Sequence, residues 1–130
     1  LVSTVLEYTL IIEGVKFTFL KFPYDINTSI KNKYIQSPDP LTLGAMKAFA
    51  LGKRAKWKDY VDLYFILQQY ELEVLINKTR KIFDNQFNDR QFLEQLTYFE
   101  DIDYTETVDY LIKSPPTNIE IMKFLKEVSV

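Results

Sequence analysis

Residues 6–20 read LEYTLIIEGVKFTFL. Leu6, Tyr8, Leu10 and Ile12 alternate with Glu7, Thr9 and Ile11. After Glu13-Gly14 the alternation resumes, with Val15, Phe17 and Phe19 set against Lys16, Thr18 and Leu20. Period-2 patterning on both sides of a two-residue X-Gly turn signals a β-hairpin. Pro23 ends the second strand. A lone hairpin is marginal in water, so this one calls for further strands or a helical cover, and no later segment offers a third strand. The chain is therefore expected to open inside a domain, with residues 1–25 as the remnant of a larger sheet.

Working outward, residues 25–40 (DINTSIKNKYIQSPDP) read as a polar connector stopped by Ser37-Pro38-Asp39-Pro40. The remainder, 40–130, reads as helical. A first helix is expected over 41–51 with Gly52 at its C-terminal cap. A second, over 58–70, carries Val61, Tyr64, Phe65 and Leu67 on one side. In a third, over 72–83, Leu72, Leu75, Ile76, Thr79, Ile82 and Phe83 fall on one helical stripe. A fourth, over 89–99, is expected to bury Phe92, Leu93, Leu96 and Phe99. The last starts at Thr117, whose spacing to Glu120 is that of a capping box. The fold class expected is α+β: a short antiparallel hairpin followed by a bundle of four to five helices, as a single or partial domain over 1–130.

Composition narrows the chemistry. At 130 residues, 47% apolar and 26% charged, the chain is that of an ordinary globular domain. Three glycines and five prolines leave few tight turns and favour long elements. No apolar run approaches the ~18 residues of a membrane span, and no signal-peptide pattern opens the sequence, so a cytoplasmic location without membrane contact is expected. There is no cysteine and no histidine. That excludes thiol nucleophiles, Ser-His triads, imidazole bases and Cys- or His-ligated metals. Gly14, Gly44 and Gly52 cannot supply a P-loop or a GxGxxG turn. What remains is carboxylate, Lys, Arg, Tyr and Ser/Thr chemistry, with carboxylate-held Mg²⁺ foremost.

Charge is segregated although the net charge is only −2. Lys47, Lys53, Arg54, Lys56 and Lys58 meet no acid over 47–58, and Glu94, Glu100, Asp101, Asp103, Glu106 and Asp109 meet no base over 94–109. Two readings stay open: solvated faces that partly neutralise each other, or a basic turn that receives phosphates while the acids face elsewhere.

The basic turn lies within residues 43–67, LGAMKAFALGKRAKWKDYVDLYFIL. Lys47 is the one charge in a helix of small and apolar residues. Its stem can lie along a packed surface with the ammonium at a cleft, or it can simply snorkel to solvent. Asp59 and Asp62, three apart, share a face in the first turn of the next helix, where the helix dipole also favours carboxylates.

The succession A-M-K-x-x-A-L, a basic turn with Arg54, then K-D-Y-V-D-L-Y-F resembles the nucleotidyltransferase family that includes the AbiEii/AbiGii toxins. Upstream, Gly14-Val15-Lys16-Phe17-Thr18-Phe19-Leu20 with Phe22-Pro23-Tyr24 is similar to that family's central strand. Downstream, Leu96-Thr97-Tyr98-Phe99-Glu100-Asp101 is similar to its L-T-Y-F-acid-D segment. About residues 6–103 are covered. The resemblance implies a DNA-polymerase-β-like core followed by helices, with residues 1–25 as a piece of the core sheet. The implied activity is nucleotidyl transfer from an NTP to an acceptor such as tRNA, with an antitoxin protein as a further partner. It implies catalytic roles for Lys47, Asp59 and Asp62, with Lys47 on the triphosphate, and phosphate contacts from Lys47, Lys53, Arg54 and Lys58. Its cofactor is Mg²⁺, which clamps the triphosphate.

The sequence departs from the family in two places. The family's glycine turn followed by a strand-borne D-x-D is missing, and Glu71-x-Glu73 and Asp101-x-Asp103 lie downstream of the lysine motif, in the wrong place. Thr18 stands where a third carboxylate is frequent. No complete two-metal site is expected, so the chain is either part of a longer enzyme or a degenerate member, inactive by itself. The reading from a different class is a catalytically dead module that binds an antitoxin or RNA. An exposed half-sheet also favours a homodimer.

Overall fold

The computed structural model describes residues 7–130; Leu6, counted above in the first strand, lies outside them. β1 (Glu7–Ile12) and β2 (Val15–Leu20) pair antiparallel from Glu7↔Leu20 to Ile12↔Val15. Glu13 and Gly14 both take positive φ, 50° and 80°. This is the geometry of a turn whose twist matches the strands, and Gly14 meets it without strain. Tyr8, Leu10, Ile12, Val15, Phe17 and Phe19 share one face through their register pairs. Apart from half-buried Leu10, every residue of the two strands is exposed. The hairpin is thus present without the cover its sequence calls for.

The connector is not featureless. β3 (Ile30–Lys31) and β4 (Gln36–Ser37) form a second two-stranded sheet, closed by Asn32, whose side-chain oxygen accepts from the N–H groups of Tyr34 and Ile35, each at 2.9 Å. Two-residue strands leave no alternation to read, and this sheet does not extend the first.

α1 (Pro40–Leu51) begins with Pro at its first position and the Asp39 carboxylate capping the Thr42 N–H at 2.7 Å. Gly52 caps its end in right-handed helical geometry, φ −66°, so the chain turns there without the left-handed residue that glycine usually supplies. α2 (Trp57–Leu67) starts one residue before the sequence pattern and stops three short of it. α3 (Leu72–Phe83) has the bounds its stripe predicts, and a 3₁₀ turn over Asp84–Gln86 follows. α4 (Asp89–Gln95) is shorter than expected, although Phe92 and Leu96 are buried as foreseen. α5 (Asn118–Val128) opens with the complete Thr117–Glu120 capping box.

The core is helical. Ala45, Ala48 and Leu51 of α1 meet Tyr60, Val61 and Leu63 of α2, Leu75 and Ile76 of α3, and Ile121 and Leu125 of α5. Small residues on α1 permit the close approach. A Cβ on Gly44 would sit 2.8 Å from Ile66 Cγ2 and 3.0 Å from Leu75 Cδ1. Phe49 stacks on Phe83 at 3.9 Å, and Tyr24 packs edge-on to both, which ties the segment after the hairpin to α1 and α3. No helix among the described residues is long and apolar enough to cross a membrane.

Candidate functional site

The α1–α2 turn brings four of the singled-out side chains together. Its backbone is anchored by the Lys53 and Arg54 N–H groups, both bonded to the Ala50 carbonyl at 2.9 Å. Reversal of the chain there sets Lys47, on the second turn of α1, against the first turn of α2. The Lys47 ammonium donates to Asp59 Oδ1 at 3.2 Å and lies 2.7 Å from Asp62 Oδ2. The Arg54 Nε–H donates to Asp59 Oδ2 at 3.2 Å. The Asp59 side chain is wholly buried, whereas those of Asp62 and Arg54 are each 45% exposed. Burial opposes the charge on Lys47, but the Asp62 and Asp59 carboxylates outweigh it and its pKa is raised. Beside this cluster Tyr60 is pushed up to about 12 by burial, with Tyr104 and Asp59 adding to the effect.

Lys47 and Asp59 are therefore within hydrogen-bond reach of each other, and Asp59 lies beneath the two cations rather than on an open face. The remaining basic residues divide. Lys53 joins Lys47 and Arg54 in lining an open cleft of about 1040 Å³ between the end of β2, the segment after it and α1. Phe19, Phe22, Leu43 and Met46 form much of its apolar wall, and Thr18, whose hydroxyl lies 3.0 Å from that of Thr9, also lines it. Lys58 is not among the lining residues; with Lys56 it ion-pairs with Glu106 instead.

That pairing bears on the charge segregation. The Asp103 N–H bonds to the Ala55 carbonyl at 2.7 Å and the Trp57 N–H to the Asp103 carbonyl at 3.0 Å, so the acidic segment is strapped to the basic turn. Glu106, its pKa lowered to about 2 by hydrogen bonds from Lys56 and Lys58, neutralises one side of that turn. The acids do not all face elsewhere, and on the cleft side Lys47 and Arg54 are paired with Asp59 and Asp62, which leaves Lys53 without an ion pair among the described residues. The sequence singles out Glu106 only as one of the acidic run, and Phe83 and Tyr24 only within their own segments; it pairs neither Glu106 with Lys56 and Lys58 nor Phe49 with Phe83 and Tyr24. Only the turn-strap contact and the helix pairing make them visible.

The Mg²⁺ implied by the resemblance does not fit the carboxylates present. Both oxygens of Asp59 accept from cations and the group is sealed from solvent, while Asp62 holds Lys47. Among the described residues no three Asp or Glu gather into a metal-binding group.

Neither a family model nor a solved structure matches the chain. It is similar to a protein of Aquifex aeolicus (strain VF5) named "Uncharacterized protein aq_aa25", at 29% identity over 99 residues. The matched stretch covers 70% of this chain and 46% of that protein, so the chain spans less than half the length of this relative.

Proposed function

We propose that this chain carries the phosphate-facing helical half of a nucleotidyltransferase site, one that takes a nucleoside triphosphate in the cleft beside α1. The observation that supports it is that Lys47, Lys53 and Arg54 line one cleft, with Asp59 and Asp62 converging on Lys47 and Asp59 on Arg54. Those residues come from the stretch that resembles the AbiEii/AbiGii toxin family. An open cleft with an apolar wall and few charged groups suits a small phosphorylated ligand. In this reading the acceptor is an RNA 3′ end such as that of tRNA, the cognate partner is an antitoxin protein, and the compartment is the cytoplasm. The carboxylates that align magnesium for transfer would belong to residues other than these.

The expected behaviour of the purified 130-residue chain is NTP binding that weakens with salt, because it rests on partly exposed charge. It should show no magnesium-dependent incorporation of labelled nucleotide into tRNA or into itself. Equilibrium dialysis and an incorporation assay test the two halves. Failure to bind any NTP would refute the reading. Magnesium-dependent transfer that disappears in a Lys47→Ala, Asp59→Ala double variant would show that these residues do complete a metal centre.

A second reading, a catalytically inactive module docking an antitoxin, is favoured by one observation. Tyr8, Ile12, Val15, Phe17 and Phe19 lie exposed on one uncharged hairpin face, and large apolar patches mark interaction surfaces. Antitoxin binding lost in Phe17→Lys, in a chain that binds no NTP, would select it.

A further inference from the structure

The four charges at the turn share their bonding unequally. Lys47 is held between two carboxylates and is neutralised by them. Two of its three N–H donors face those carboxylates, which leaves one for a phosphate. Arg54 spends only its Nε–H, on Asp59. A guanidinium has five N–H donors in one plane, so four remain on Nη1 and Nη2, and no protein acceptor bonds them among the described residues. The Arg54 side chain is 45% exposed against 21% for Lys47, and it lines the cleft. Lys53, also lining it, holds its ammonium 5.3 Å from the centre of the Phe49 ring. Of these three cations Lys47 and Arg54 are paired with Asp59 and Asp62 behind the cleft wall, and Asp25 is the one carboxylate that lines the cleft itself.

We propose that the anion seat of this cleft is the outer edge of Arg54 together with Lys53, and that it takes the oxyanions of a polyphosphate. Asp59 is a positioning residue that fixes the guanidinium plane through Nε, and Lys47 is the tie between α1 and α2. The assignment rests on the proposed reading of the cleft as a site for a phosphorylated ligand, and it departs from the role the resemblance implies for Lys47. The fork of Nη donors matches two phosphate oxygens at once, which an ammonium cannot do. Pre-orientation by a buried carboxylate also removes part of the ordering cost of binding.

The test uses inorganic tripolyphosphate as probe, with calorimetry at low ionic strength and ¹⁵N spectra of the arginine side chains. Arg54→Ala should weaken binding about 10-fold or more, and Arg54→Lys should restore only part of it. Lys47→Gln should cost several-fold less than Arg54→Ala. Asp59→Asn, measured well below its Tm where its helical circular dichroism equals that of wild type, should weaken binding although Arg54 is intact, and its Arg54 Nε–H signal should be displaced before any probe is added. On titration the Arg54 Nη signals should move while its Nε–H, held by Asp59, stays in place. A Lys47→Gln protein that keeps its helical circular dichroism but loses more affinity than Arg54→Ala overturns the assignment. Binding of an NTP without tripolyphosphate binding overturns the seat and leaves the nucleotide reading standing. Tripolyphosphate binding without NTP binding does the reverse, and binding of neither overturns both.

Discussion

Asp59→Asn removes one negative charge from a site sealed from water while keeping the side-chain volume. In the native protein the carboxylate takes Lys47 and Arg54, both at 3.2 Å. The gross attraction of each pair is large, about 4 kcal/mol at 4 Å for an effective dielectric of ~20, but much of it offsets the cost of taking the carboxylate out of water. Breaking a buried pair from one side typically costs about 3–5 kcal/mol. Two features place this variant at the low end of that range. Lys47 keeps Asp62 at 2.7 Å, and Arg54, 45% exposed, can turn to water. A loss of about 3 kcal/mol is expected, and at ~4 °C per kcal/mol for a chain of this size the Tm should fall by about 12 °C. The control is Asp62→Asn, which breaks a pair whose carboxylate is 45% exposed; surface pairs contribute about 0–1 kcal/mol, so a fall of less than ~4 °C is expected. Thermal unfolding of the two variants and the wild type, followed by circular dichroism at neutral pH, measures the difference. Equal shifts, or an Asp59→Asn protein within ~2 °C of wild type, would show that burial of this carboxylate does not govern the cluster.

Gly44→Val should be strongly destabilising, by about 3 kcal/mol on thermal unfolding, because a Cβ alone already lies 2.8 Å from Ile66 Cγ2 at the α1–α2–α3 junction; an unchanged Tm would mean the helices can part there at no cost. Acidification should release the strap from the turn. Glu106 has its pKa depressed from 4.5 to about 2, so its contribution is full above 4.5 and is lost as pH falls towards about 2. Trp57 is the single tryptophan, buried 5.4 Å from Tyr104 and bonded to Asp103, so its fluorescence should report this release within that window. Glu106→Gln should already show the released signal at neutral pH; a titration identical to that of wild type would refute the role of Glu106.

The amino-acid sequence by itself determined the elements whose side chains repeat at a regular period. The alternation on either side of Glu13-Gly14 specifies the hairpin, and the stripe from Leu72 to Phe83 specifies α3 with its observed bounds. Asp39-Pro40 and Thr117–Glu120 announce two helix starts through local capping chemistry that needs no distant partner. The spacing also put Asp59 and Asp62 on one face at the start of α2, while their meeting with Lys47 came from the way α1 and α2 pack. It could not place β3 and β4, whose two-residue strands carry no period. It overran α4, since Leu96 and Phe99 are apolar whether the chain stays helical or turns.

Burial and partnership were decided only by tertiary contacts. Whether Asp59 lies open or sealed depends on Lys47 and Arg54 closing over it, and a helix-start aspartate reads the same in either case. Whether the basic turn is free depends on Glu106, about fifty residues away in sequence, reaching Lys56 and Lys58 through the Ala55–Asp103 and Trp57–Asp103 bonds. Local propensity is encoded within a few neighbouring residues, whereas the sharing of charge among lysines, arginine and carboxylates is set by which of them the packed helices bring within hydrogen-bond distance.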